Sequence, residues 1–229
     1  MKQRFSSYST ALLMLAIFIG AFVILNFLYI NKVSNSIQVL SKASSLAGDK
    51  YHQLAEDVQD QKTRMSFAAH VMDIKNILDS DIRTTSYNTM DFAYLIAKES
   101  FDNNLDPLLV LAVIKTESSF RKMVVSHKGA IGLMQILPNT AQYVSDMNDH
   151  IELSHSNELF EPNTNIMIGI NYLSYLVNKF ENQKYAIIAY NMGPTGLIRK
   201  IKSGENPPER YYRTVMKHYQ QILNQSGRA

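Results

Sequence analysis

The chain has 229 residues, with 23 Lys and Arg against 20 Asp and Glu, and no cysteine. The length holds one medium domain plus something extra, and the missing cysteines exclude disulfides, thiolate nucleophiles and Cys-ligated metal. Residues 89–229 carry fourteen basic and thirteen acidic groups with no basic tract, which argues against nucleic acid as a partner, since binding it needs clustered Lys and Arg.

The six histidines (His52, His70, His127, His150, His155 and His218) form no HExxH or similar pairing, so the sequence proposes no metal site and no cofactor. Residues 1–10 carry Lys2 and Arg4 and no acid, and read as a short tail. Residues 11–30, ALLMLAIFIGAFVILNFLYI, contain one Gly, one Asn and no charge. At about 1.5 Å per residue that run spans the roughly 30 Å hydrocarbon core of a bilayer. It is longer than the apolar part of a cleaved signal, and Leu28-Tyr29-Ile30 offers no small-residue cleavage site. An uncleaved, single-pass transmembrane anchor is therefore expected. Lys2, Arg4 and the terminal amine precede the span, which places the N-terminus in the cytoplasm and residues 31–229 outside the inner membrane, in the periplasm.

Residues 31–88 change character and read as a long helical stalk. Alternating steps of four and three from Val33 reach Ile37, Leu40, Ser44, Ala47, Tyr51, Leu54, Val58, Gln61, Met65, Ala68 and Met72, and ten of these twelve positions are apolar or aromatic. This is a heptad seam, weakened by its polar positions and by Gly48. Self-association, packing on the following domain, an envelope-complex partner and a solitary tether all fit it. Asp79 to Asn88, polar and rich in capping residues, is the expected domain boundary.

Residues 89–224 alternate helical apolar stripes with short polar breaks and contain no period-2 strand, so an all-α domain is expected. One helix covers Asp91 to Phe101. Asp106-Pro107 opens the next, Asp as N-cap and Pro at the first helical position. Pro138 opens another, Asn163 caps a longer one, and Lys184 to Asn191 forms a short one ended by Gly193-Pro194. Thr195 to Ile201 adds a turn or two. The last helix starts at about Pro208, with Tyr212, Val215, Met216, Tyr219, Ile222 and Leu223 inward.

Glu117 continues the apolar stripe of Val110, Val113 and Ile114 on its helix. Burial and the negative end of the helix dipole both favour the protonated carboxyl. That state suits a general acid for a glycosidic oxygen. Periodicity alone fits a structural glutamate at a helix end as well. The loop that follows, Ser126-His-Lys-Gly-Ala-Ile-Gly132, must turn tightly, and Gly129 and Gly132 permit it. Such a loop can bring hydroxyl and amide groups back to the carboxylate.

Four segments, ESSF at 117–120, SHKGAIGLMQILPNTA at 126–141, LFEPNTNIMIGINYL at 159–173 and AYNMGP at 189–194, stand in order across residues 90–222. Together they resemble the successive motifs of the soluble-lytic-transglycosylase family of peptidoglycan lytic transglycosylases. The resemblance implies a lysozyme-like helical catalytic domain behind the transmembrane helix and stalk, acting on peptidoglycan glycan strands. It implies that Glu117 protonates the oxygen of the MurNAc–GlcNAc β-1,4 bond, then takes the proton of the muramoyl C6 hydroxyl, giving a 1,6-anhydro end. This differs from the usual two-carboxylate glycosidases. It implies substrate contacts at Ser126, Met134, Gln135, Tyr190 and Asn191, with the Tyr190 hydroxyl near the glutamate, and a structural part for Glu161 and Asn165. The family often opens its last helix with ETxxYV, whereas this chain reads PPERYYRTVMKHY. Tyr211 aligns with the family tyrosine, which implies a substrate-binding part for it, Glu209 stands two residues before it rather than four, and Tyr212 reads as core. Plain lysozyme-type hydrolysis and a non-catalytic wall-docking subunit of a secretion apparatus remain the alternatives.

Overall fold

The computed structural model describes the backbone of residues 2–81 and 88–228 and the side chains of residues 12–80 and 88–228. Most of the expected boundary segment, residues 82–87, lies outside the described residues. The chain divides into two compact units, Met1–Lys62 and Thr63–Ala229.

The first helix, α1, runs Lys2–Asp81. In the first unit it is long and apolar enough to cross a membrane. Apart from Gly20, every described side chain from residue 12 to residue 62 is exposed, the seam residues Ile37, Leu40, Tyr51, Leu54 and Val58 included.

In the second unit the end of α1 changes role. Val71, Ile74, Ile77 and Leu78 are buried, and Phe67 packs edge-on against Tyr94 and Phe101 at 5.6 and 5.5 Å. The buried stripe is thus 67, 71, 74, 78. The heptad count ran instead through Met65, Ala68 and Met72, and Met65 and Met72 are exposed. The buried face differs from that count because aromatic side chains of the next helix, Tyr94 and Phe101, meet Phe67.

That next helix, α2, covers Thr89–Asp102 and is capped by the Asn88 side chain. Helix α3, Pro107–Ser118, has the expected cap: Asp106 Oδ1 accepts the Leu108 N–H at 2.8 Å. All seven residues from Leu108 to Ile114 are buried, so α3 is the central helix of the unit. Helices α4 (Pro138–Met147), α5 (Pro162–Phe180), α6 (Gln183–Met192), α7 (Pro194–Lys202) and α8 (Arg210–Ser226) follow, with a 3-10 turn at Ser156–Phe160; α2 and α8 pack on α3, and α5 packs on α2, α4 and α6. Pro stands at the first position of α3, α4, α5 and α7, where its missing N–H costs nothing. Helix α5 starts at Pro162 behind Glu161, not behind Asn163, because the proline pre-sets the first helical φ. Helix α8 starts at Arg210, two residues later than expected.

Helix α8 lies along α3 and is tied to it by side chains of both helices. Tyr219 donates its hydroxyl proton to Asp106 Oδ2. Thr116 Oγ1 donates to the Ala112 carbonyl and sits 2.9 Å from His218 Nδ1. These contacts fix α8 in register, and that register places Tyr211.

Candidate active site

Glu117 occupies the last turn of α3. The chain then leaves the helix through two consecutive left-handed residues, Ser119 at φ 49° and Phe120 at φ 64°. Each costs on the order of 1–3 kcal/mol. Burial of the Phe120 ring, 4% exposed, offsets part of that cost. The sharp exit turns the chain back, so the loop 124–136 returns past the carboxylate.

Pairings of Val125 with Ile131 and of Ile131 with Ile136 hold this loop. At its tip the Ser126 Oγ accepts the Ala130 N–H at 3.0 Å. Asn165, 1% exposed on α5, braces the loop from beneath. Its Oδ1 accepts the Met134 N–H at 2.8 Å, and its Nδ2 donates to the Ile131 and Leu159 carbonyls at 2.9 and 2.7 Å. Gly132 passes so close that a Cβ there would lie 2.3 Å from Asn165 Nδ2 and 2.5 Å from the Leu159 oxygen. With φ at +78° as well, only glycine fits. Gln135 is itself left-handed, at φ 51°, and its Nε2 donates to the Gly132 and Val124 carbonyls at 2.9 and 3.1 Å.

A cavity of about 350 Å³ forms over the end of α3, lined by Glu117, Ser126, His127, Lys128, Ala130, Gln135, Leu137, Tyr190 and Asn191. Among these residues Glu117 is the only carboxylate. Burial pushes its pKa up to about 7, and the hydrogen bond from Tyr211 pulls in the opposite direction. The Tyr211 hydroxyl donates to Glu117 Oε1 at 2.5 Å. The Tyr190 hydroxyl donates elsewhere, to the Met134 carbonyl at 2.8 Å. Burial first, and then the nearby Glu117 charge, raise the pKa of both tyrosines well above the usual value. Both therefore stay protonated and act as donors.

Five of the expected residues, Glu117, Ser126, Gln135, Tyr190 and Asn191, meet at this cavity. Tyr211 joins them through Glu117 and is the hydroxyl that hydrogen-bonds the glutamate, while Tyr190 lies near enough for the Glu117 charge to act on it. Met134 does not reach the cavity. It is fully buried, and its sulfur lies close against Gly169 of α5. Leu137, passed over in the sequence, lines the wall instead. Alternation held the signal: Met134 and Ile136 point into the core, while Gln135 and Leu137 point out. His127 and Lys128 also line the cavity, and nothing in their spacing singled them out. Asn165 has the structural part expected of it. Glu161 precedes α5 without a side-chain cap bond, and half-buried Tyr212 packs on the core beneath Lys184.

This arrangement can donate a proton from a neutral carboxyl near pH 7 and then hold the resulting carboxylate on the Tyr211 hydroxyl. Comparison with known proteins shows what the chain is similar to. A membrane-bound lytic murein transglycosylase C from Sodalis glossinidius is 32% identical over 139 residues, covering 53% of this chain and 39% of that protein. The soluble lytic murein transglycosylase of Escherichia coli is 36% identical over 115 residues, 50% of this chain and 17% of its own length. The chain thus spans well under half the length of these relatives. The crystal structure of the 70 kDa soluble lytic transglycosylase of Escherichia coli is similar over 58% of this chain and 23% of its own, with TM-score 0.49 and 26% identity. The model of the transglycosylase SLT domain matches residues 94–212, just over half of the chain, from within α2 to the start of α8, and the chain belongs to that family.

Proposed function

We propose that the chain is a peptidoglycan lytic transglycosylase. It cleaves the MurNAc–GlcNAc β-1,4 bond by intramolecular transglycosylation and leaves 1,6-anhydromuramoyl ends. The observation that carries this reading is a single carboxyl, Glu117, with a pKa raised to about 7 and a hydroxyl donor at 2.5 Å. In the first step neutral Glu117 gives its proton to the glycosidic oxygen as the C1–O4 bond breaks. In the second, the carboxylate takes the proton of the muramoyl C6 hydroxyl as O6 closes on C1. The proton returns to Glu117 and no water is consumed. Tyr211 stabilises the carboxylate between the two steps. Ser126, Gln135 and Asn191 present polar groups around the sugar, and Leu137 presents an apolar wall.

Mass spectrometry of glycan digested by the purified full-length chain tests this reading. Anhydro ends are expected. Reducing ends would instead make the chain a hydrolase of the lysozyme type. If Glu117→Gln abolishes cleavage yet fully replaces the wild type in cells, the chain is a wall-docking subunit.

The anchor belongs to the same reading. Residues 11–30 cross the inner membrane once, the N-terminus lies in the cytoplasm, and the catalytic domain faces the periplasm, where it remodels the wall or opens it locally for an envelope machine. The apolar run and the names of the membrane-bound relatives support this. Because the chain has no cysteine, single-cysteine labelling tests it. An impermeant maleimide should label Ser203→Cys in spheroplasts and Ser6→Cys only after lysis; the reverse pattern would invert the topology.

A further inference from the structure

Asn26 is the one amide side chain in the apolar run of residues 11–30, and it lies about one turn inside the outer end of that run. Its Nδ2 donates to the Phe22 carbonyl of its own helix at 2.8 Å. The second amide proton and the remaining capacity of Oδ1 have no partner among the described residues. Hydrocarbon holds no water to satisfy them. They favour a second helix that brings hydrogen-bonding groups to the same depth.

Asn26 also stands on the stalk seam. Steps of three and four back from Val33 reach Ile30, Asn26, Val23 and Ile19. One alternation of four and three therefore runs from Ile19 through the span and on to Ile37, Leu40, Tyr51, Leu54 and Val58, all of them exposed. Where span and stalk meet, a groove of about 320 Å³ follows this face, lined by Tyr29, Ile30, Val33, Ser34, Ile37 and Gln38. It is the kind of hole that takes a knob from a facing helix. In water a helix gains most of its stability by packing one face, yet Leu40 and Tyr51 are 69% and 72% exposed.

The flanks of the seam fit a second copy. Ser34, Ser36, Ser41, Ala43 and Gly48, which border it on both sides, are small enough for two helices to approach closely. Farther out, Asp57 precedes Val58 on one flank and Lys62 follows Gln61 on the other. In two parallel helices in register, Asp57 of each copy faces Lys62 of the other, so symmetry forms the pair twice. Neither side chain makes an ion pair of its own among the described residues.

We propose that the chain pairs with a second copy of itself through this seam, as a parallel, in-register two-stranded coil that begins inside the membrane at Ile19 and continues along the stalk to Val58. The direction rests on the reading of residues 11–30 as an anchor. Two chains inserted the same way have parallel stalks and carry Asn26 at one depth. An amide both donates and accepts, so two facing Asn26 side chains satisfy each other and fix the register. Pairing joins two catalytic domains in one assembly, so release of one from the wall leaves the other bound.

Cysteine cross-linking of the full-length chain in native membranes tests the pairing, since the chain has no cysteine of its own. Ser44→Cys and Ala47→Cys place a thiol on the seam, and Glu56→Cys places one on the opposite side. Oxidation by copper phenanthroline is expected to join both seam variants into a species of twice the chain mass, with several-fold less for Glu56→Cys. Sedimentation of the detergent-solubilised chain then weighs the contacts. Asn26→Leu should raise the dimer dissociation constant about 3–10-fold, the range of interhelical hydrogen bonds in membranes. Lys62→Glu should raise it about 2–5-fold, and Asp57→Lys added to Lys62→Glu should restore it. Equal cross-linking at all three positions, none at any, or a cross-link to a protein of different mass overturns the pairing while the anchor and enzyme readings stand. Dimers that neither Asn26→Leu nor Lys62→Glu weakens overturn the in-register seam. A chain that alkaline carbonate strips from the membrane overturns the anchor reading, and the pairing with it.

Discussion

Glu117 lies in the last turn of α3, with its carboxyl desolvated in the cavity. Glu209 lies just before α8, two residues from the tyrosine that touches Glu117, and faces solvent. Burial raises the pKa of Glu117 to about 7. Hydrogen bonds from Lys184 and Arg213 lower that of Glu209. One chemical group is thus tuned in opposite directions near one tyrosine. Glu209 has two cations within reach, Lys184 Nζ at 2.5 Å and Arg213 Nη2 at 3.1 Å. Glu117 has a neutral hydroxyl and a desolvated cavity. Environment, not residue type, decides which carboxylate can be an acid at neutral pH.

The comparison breaks most easily at Glu117 itself. Glu117→Gln should lower wall-cleaving turnover by about a thousandfold or more, the range of a lost general acid. The same substitution should stabilise the fold, but only at higher pH. The folded carboxyl holds its proton more tightly than the unfolded one. The cost of ionising it is therefore absent below the unfolded value of 4.5, grows as pH rises from there, and is complete above about 7. At full size it is about 3 kcal/mol, from roughly 1.4 kcal/mol per unit. Thermal melts at pH 8 should show the substituted chain more stable by several degrees, and melts at pH 4 should show the two nearly equal.

Gly132→Ala comes next. The added methyl meets Asn165 and a backbone oxygen, at a positive φ. Loss of about 3 kcal/mol is expected in urea unfolding, with activity falling as the loop shifts. Tyr211→Phe sharpens the contrast. The Tyr211 bond lowers the Glu117 pKa, so its loss should move the alkaline limb of the pH–rate profile upward while the peak rate falls about tenfold. Glu209→Gln should do least. Its partners are exposed, and activity should stay within about twofold, with no shift in the profile.

Much of this was legible in the sequence. The Asp106-Pro107 start of α3, the apolar stripe that carries Glu117 inward and the Gly193 stop of α6 are local signals, and the structure has them. Contacts distant in sequence were less so. The Tyr211 bond joins residues 94 apart, and it exists because Tyr219 and His218 pin α8 to α3. No local pattern reports that register. Met134 was expected in the groove because its motif is there, yet the motif alternates in and out of the core. The heptad repeat read along α1 ran through Met65 and Met72 and missed the buried stripe that starts at Phe67, because a repeat in the sequence does not report which face of a helix meets the neighbouring helix.

The most direct test of the account is the titration of Glu117. The glutamate side-chain carboxyls of the full-length chain would be labelled with carbon-13 and followed by NMR from pH 3 to pH 9, with the Glu117 signal identified by its loss in Glu117→Gln. The account predicts a midpoint of about 7 for Glu117 and a midpoint below the usual glutamate value for Glu209. A Glu117 midpoint near 4.5 would mean that the carboxyl is ionised at neutral pH, and the single-acid mechanism would be contradicted.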